Sequence, residues 1–122
     1  MKGLGIDLAA IDRTAGLIQR FGERFTARVF TEAERDYCDR RPRPEASYAA
    51  RFAAKEAVMK ALGTGWGKGV TFKSIEVVQE EEGPSVKLHG KAAIKAKEIG
   101  IKEMRVSISH EGNMAAAAVI AA

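Results

Sequence analysis

Along GLGIDL (residues 3–8) aliphatic positions alternate with small or polar ones. Leu4, Ile6 and Leu8 fall on one side and Gly3, Gly5 and Asp7 on the other, the period-two pattern of a strand. From Ile11 the period lengthens. Ile11, Ala15, Ile18, Gly22 and Phe25 recur at helical spacing while Arg13, Leu17, Arg20 and Arg24 cluster opposite, which predicts one helix with an arginine face. Thr31 followed by Glu34 matches a capping box and opens a short polar helix to about Arg40, broken by Pro42 and Pro44. The segment EASYAARFAAKEAVMKAL (45–62), rich in Ala, Glu, Lys and Leu, predicts the strongest helix of the chain, stopped by Gly63. After the loop GTGWGKG, FKSIEVVQ (72–79) reads as a strand, EEEGPS (80–85) as a turn and VKLH (86–89) as a second strand. KAAIKAKEIG (91–100) reads as a helix ending at Gly100. EMRVSISH (103–110) alternates, with Met104, Val106, Ile108 and His110 on one face; EGN turns, and MAAAAVIAA closes as a buried strand. Strand, three helices, two strands, helix, two strands predicts a small α+β single domain over residues 1–122, with a mainly antiparallel sheet and helices packed on one face.

A chain of 122 residues supports one core. Any large ligand site is therefore shallow or shared between subunits. The 46% hydrophobic content excludes a disordered chain, and no apolar run approaches the ~20 residues that cross a bilayer. The start MKGLGIDLAAID lacks the apolar stretch of a secretory signal, so the expectation is a cytoplasmic protein with no membrane partner. A single cysteine, Cys38 in RDYCDRR, excludes an internal disulfide and reads as a spare thiol.

Charge changes the picture locally. The formal balance is 20 − 16 = +4, yet residues 13–43 hold Arg13, Arg20, Arg24, Arg28, Arg35, Arg40, Arg41 and Arg43 and no lysine. Guanidinium forks suit phosphate and carboxylate, so an acidic partner is expected: nucleic acid, nucleotide or acidic protein, against the plainer reading of a solvated basic surface.

Four places offer chemistry. Helical projection sets Glu56 in the apolar stripe of the central helix, between Phe52 and Met59 and beside Ala49. A buried carboxylate needs a cation: Lys60 one turn on, another lysine, or a metal. Asp7 follows two glycines on its side of the strand, which leaves room for a close approach; it is either a strand-end turn acid or, with Glu56, one of two hard oxygen ligands of the kind Mg²⁺ takes. The GTGWGKG loop lacks the Walker A pattern and is a connector or a backbone cradle for phosphate with Lys68 beside it. His110 ends a strand, where it reaches a cleft or packs on the surface; His89, inside a short strand, is the weaker candidate.

GIDLAAIDR (5–13), FTEAE (30–34), RFAAKEAVMKALGTG (51–65), FKSIEVV and VSISHEGNMAAAAV (106–119), in this order, resemble bacterial holo-acyl-carrier-protein synthase over nearly the whole chain. The resemblance implies a 4′-phosphopantetheinyl transferase fold and an enzyme that moves the 4′-phosphopantetheine arm of coenzyme A to a serine of apo acyl carrier protein, releasing adenosine 3′,5′-bisphosphate. It implies Mg²⁺ held by Asp7 and Glu56, with Asp7, Glu56 and Lys60 as the catalytic set. Coenzyme A would then meet Lys60, Gly63, Thr64, Gly65 and His110. It also implies a homotrimer with active sites between subunits, which suits the size argument, and an acidic carrier docked on Arg13; Arg20 and Arg24 join it by periodicity. Glu56 is the first candidate for the base that takes the serine proton, and two carboxylates suit Mn²⁺ as well as Mg²⁺. Trp66 departs from the family's fixed features, with adenine stacking as one use for it, and the loop of Arg40, Arg41 and Arg43 is set toward the 3′-phosphate. The reading from another class is a small basic RNA-binding module without catalysis. Against it stands the 7% aromatic content, which leaves no strand with paired exposed rings.

Overall fold

A computed structural model describes residues 1–64 and 68–122. β1 (Gly3–Ala10) leads into α1 (Ile11–Phe21), α2 (Glu23–Val29), α3 (Glu32–Asp39) and α4 (Pro44–Leu62). A short 3-10 turn (Phe72–Ser74) precedes β2 (Ile75–Glu80) and β3 (Gly83–Leu88); α5 (Gly90–Glu98), β4 (Met104–Glu111) and β5 (Met114–Ala121) complete the domain. The strands form one antiparallel sheet in the order β1-β5-β4-β3-β2. This is the expected α+β domain with helices on one face.

α4 is the axis of the fold. Pro44 sits in its first turn, where the missing N–H costs nothing, and Gly63 closes it in the left-handed conformation at φ 74°. Its seven alanines and their neighbours are buried on nearly every side, so the helix is a core element and not a surface helix with a single stripe. It packs on β1 and β5. On β1 the face it meets is Gly3, Gly5, Asp7 and Ala9, while Leu4, Ile6 and Leu8 are 60%, 63% and 61% exposed. The glycines are needed there: a Cβ at Gly5 or Gly3 would run into the carbonyl oxygen of Ala57 or Ala61. The room beside Asp7 is thus taken by the backbone of α4.

Several expectations shift. The single helix drawn from Ile11 to Phe25 is two, because Gly22 at φ 55° turns the chain between α1 and α2. The first predicted strand of the hairpin loses Phe72–Ser74 to the 3-10 turn, and β3 begins at Gly83, inside the segment read as a turn. His89 is the N-cap of α5 rather than a strand residue, its ring 3.0 Å from Glu76. The last strand is buried on one face only: Ala115, Ala117, Val119 and Ala121 are covered, Met114 and Ile120 exposed. Cys38 belongs to the core and accepts a hydrogen bond from Ser47, and burial pushes its thiol up.

One polar cluster lies wholly inside. The Lys55 Nζ is 2.8 Å from Glu34 Oε1, and neither side chain reaches solvent. The ammonium also donates to the carbonyls of Phe72 and Ile75. Glu34 closes the capping box by accepting from Thr31 N at 2.8 Å and takes the Val77 N–H of β2 at 2.8 Å with its other oxygen. Every strong donor and acceptor of the pair is therefore engaged, the condition under which buried charges are tolerated. Burial lowers the Lys55 pKa from its ordinary value and the neighbouring Glu34 partly offsets this.

The close contact of β1 with α4 is directly testable. Gly5→Ala is expected to lower stability by about 3 kcal/mol, since backbone on both sides must separate. Gly16→Ala on the exposed face of α1, where a Cβ meets nothing within 4 Å, should raise it by about 0.5–1 kcal/mol. Equal denaturation midpoints for the two variants would show that the contact does not constrain the fold.

Candidate active site

At the β1–α4 contact three of the predicted residues meet. Asp7 points from the middle of β1 toward α4 and is 15% exposed; Lys60 Nζ reaches its Oδ1 at 2.8 Å and also donates to the Ile6 carbonyl at 2.9 Å. Glu56, one turn before Lys60 on α4, lies beside Asp7 and is half-buried. The cation at Lys60 is drawn to Asp7, so a simple Glu56–Lys60 pair, one of the three alternatives, gives way to a three-residue group with Asp7 at its centre.

The electrostatics follow from that crowding. Desolvation, then the charge of Asp7 and a hydrogen bond with it, raise the Glu56 carboxyl to about 7, and Lys60 only partly counters them. Two carboxylates and one lysine thus hold an extra proton near neutral pH. Among the described residues there is no group of three or more His, Cys, Asp or Glu that would enclose a metal. Two adjoining carboxylates that keep a proton for want of positive charge, open on one side, still suit a hard dication that takes its remaining ligands from water and phosphate.

His110 is elsewhere. It is exposed at the end of β4, on the wall of a cleft of about 380 Å³ that also holds Arg41, Arg43, Arg51, Gln79 and Pro84. The structure brings the Arg41 and Arg43 loop together with His110 and leaves Arg40 outside this lining. Arg51, which lines the His110 cleft, is five residues from Glu56 and nine from Lys60 on α4, so at about 100° per residue it projects from the opposite side of the helix to that pair, and α4 stands between the two groups. Gly63 caps α4 and Thr64 donates its N–H to the Met59 carbonyl. Gly65 and Trp66 lie outside the described residues.

Arg51 is the site residue that the pattern reading passed over. It is 5% exposed, its guanidinium lies 4.1 Å from the Tyr37 ring centroid, and Nη1 donates to Ser47 Oγ at 3.3 Å. Nε and Nη2 are buried with no hydrogen-bond partner among the described residues. Buried unpaired donors on a permanent cation are costly unless an anion completes them. An arginine inside an alanine-rich buried helix was the available signal. Arg13, Arg20 and Arg24 are exposed, and Arg20 and Arg24 flank the Phe21 ring at 5.1 and 5.5 Å.

The raised Glu56 carboxyl fixes a pH dependence. In metal-free protein the folded state keeps a proton at Glu56 that an unfolded glutamate releases near its ordinary 4.5, so this contribution is present in full below 4.5 and lost as pH rises through about 7. In EDTA the melting temperature of the unaltered protein should fall between pH 5 and 8.5 more steeply than that of Glu56→Gln; parallel slopes would contradict the assignment.

Comparison with known proteins identifies the family. The 4′-phosphopantetheinyl transferase superfamily matches residues 3–119. A holo-[acyl-carrier-protein] synthase of Koribacter versatilis is 47% identical over 119 residues, covering 97% of this chain and 95% of that one. A Helicobacter pylori holo-[acyl-carrier-protein] synthase solved in complex with coenzyme A superposes with TM-score 0.85 at 31% identity, covering 98% of this chain and 99% of the other. The Neisseria meningitidis holo-[acyl-carrier-protein] synthase superposes with TM-score 0.89 at 34% identity, covering 100% and 98%. Among the described residues, Phe30 packs on Tyr48 and Phe52 on Phe72, with Phe25 between Phe30 and Phe52. The chain belongs to the 4′-phosphopantetheinyl transferase superfamily and, within it, to the holo-[acyl-carrier-protein] synthases.

Proposed function

We propose that this protein transfers the 4′-phosphopantetheine arm of coenzyme A to a serine hydroxyl of apo acyl carrier protein, with Asp7, Glu56 and Lys60 at the reacting centre. The observation that carries the reading is the meeting of Asp7, Glu56 and Lys60 at the β1–α4 contact, with Lys60 Nζ 2.8 Å from Asp7, in a chain whose relatives are holo-[acyl-carrier-protein] synthases. The serine oxygen forms a bond to the phosphorus that bears the pantetheine arm, the pyrophosphate P–O bond breaks, and adenosine 3′,5′-bisphosphate leaves. Glu56 accepts the serine proton at its carboxylate. Lys60 turns from Asp7 to the pyrophosphate and steadies the charge on the leaving group. Asp7 and Glu56 would hold Mg²⁺, which supplies neutralisation of the negative charge that grows on the phosphoryl oxygens. Mn²⁺ fits the same two carboxylates.

The nucleotide end belongs to the second cleft. Arg51, with two unpartnered donors, binds phosphate there; Arg41 and Arg43 add charge, His110 contacts the adenosine 3′-phosphate and Pro84 lies along the ring. Gly63 and Thr64, at the C-terminal end of α4, would approach the pyrophosphate, as the resemblance implies. Because α4 stands between this cleft and Asp7, the acid pair of one subunit works with the nucleotide cleft of another. The open sheet face supplies the contact: Leu4, Ile6, Leu8, Met114 and Ile120 are exposed together around Ala116 and Ala118, an apolar surface suited to a homotrimer.

Acyl carrier protein docks on α1 and α2, where Leu17, Phe21 and Phe25 floor a groove edged by Arg24 and Arg28 and flanked by Arg13 and Arg20. An acidic amphipathic helix fits apolar floor and cationic rim. The compartment is the cytoplasm, which a lone buried thiol suits; among the described residues no helix is long and apolar enough to cross a membrane.

Incubation of apo acyl carrier protein with this protein, coenzyme A and Mg²⁺ should add one phosphopantetheine arm by intact mass, with no addition in EDTA or with Glu56→Ala. An unchanged carrier, or transfer that persists in both controls, would overturn the reading. Arg13→Glu should raise KM for the carrier at least tenfold and leave KM for coenzyme A unchanged; equal loss of both would remove α1 from the docking surface.

A further inference from the structure

The hairpin β2–β3 carries Gln79 and Pro84, one wall of the nucleotide cleft, yet its link to the rest of the sheet is slight. Among the described residues β3 meets β4 at the single registered pair Ser85 and Arg105, whereas β4 and β5 pair from Met104 with Ala121 to Glu111 with Met114. The sheet alone therefore does not fix the distance between this wall and α4, which carries Arg51 on the other side of the cleft.

What joins them is the buried ion pair. Lys55, one turn beyond Arg51 on α4, donates to Phe72 and Ile75 immediately before and at the start of β2, and Glu34 on α3 receives the Val77 N–H from the strand's outer edge. Both side chains are fully buried and paired at 2.8 Å, so four segments (α3, α4, the 3-10 turn and β2) meet at one charge pair. We infer that Lys55 and Glu34 are positioning residues for the nucleotide end of the substrate: the pair rivets the β2–β3 hairpin to α4 and so sets the width of the cleft between Arg51 and the wall of Gln79 and Pro84. Neither touches the reacting atoms. The inference rests on the assignment of that cleft to the nucleotide, and its mechanical half does not.

Three variants separate the possibilities. Lys55→Met removes the donor to β2. The double variant Glu34→Gln with Lys55→Met removes both charges and keeps the volume, so that a folded protein is available where the single change leaves an unpaired buried carboxylate. Val119→Ala, in β5 away from the pair and fully buried, lowers stability without touching it. Hydrogen exchange well below each melting temperature should show the amides of β2 and β3 losing protection in the two Lys55 variants and keeping it in Val119→Ala. Calorimetric titration with coenzyme A should show affinity at least tenfold weaker in the Lys55 variants and unchanged in Val119→Ala, while KM for the carrier stays the same. Unaltered hairpin protection would overturn the rivet. Loosened protection with full coenzyme A affinity would overturn its role in the site. Absence of coenzyme A binding by the unaltered protein would instead refute the functional assignment of the cleft, with hydrogen exchange still deciding the rivet.

Discussion

The carbonyl oxygens of Ala57 and Ala61 occupy the space that side chains at Gly5 and Gly3 would fill, and this approach of α4 to β1 is what the site is built on. With any larger residue in β1 the helix would stand farther from the strand, and Asp7 would no longer lie within reach of Lys60 and Glu56. The alanines of α4 serve the same end from the other side. Close packing therefore places two carboxylates where neither is fully solvated, and the cost of that arrangement appears as the proton held at Glu56.

The same packing explains why the aliphatic face of β1 points outward. A strand with α4 against its glycine face has its bulky residues on the opposite side, where Leu4, Ile6 and Leu8 join Met114 and Ile120 in an apolar surface that the chain itself does not cover. The candidate site and the exposed apolar surface are thus two faces of one strand, fixed together by the period-two geometry.

Much of this was legible in the sequence. The capping box at Thr31 and Glu34, the long helix ending at Gly63 and the side of the strand on which Asp7 lies all follow from local chemistry, and local chemistry is preserved in the fold. The split at Gly22 was not legible, because glycine there continues the apolar period while its positive φ breaks the helix. Lys55 read as one more helix-forming lysine: its partners Glu34, Phe72 and Ile75 come from distant segments, and periodicity carries no information about them. Arg51 left only the signal of an arginine inside an alanine-rich helix, since its partners Tyr37 and Ser47 and its cleft are set by the fold, and the segment with Gly65 and Trp66 lies outside the described residues. The candidate set Asp7, Glu56 and Lys60 came together because two of its members sit one helical turn apart and the third on the strand that α4 covers.

The claim on which the account turns is that the acid pair and the nucleotide cleft of a working site come from different copies of the chain. Glu56→Ala and Arg51→Ala, each inactive alone, should regain a substantial fraction of transfer activity when mixed and allowed to exchange subunits, since some sites then combine an intact acid pair with an intact cleft. A mixture as inactive as its components, with subunit exchange verified by native mass, would contradict the shared site.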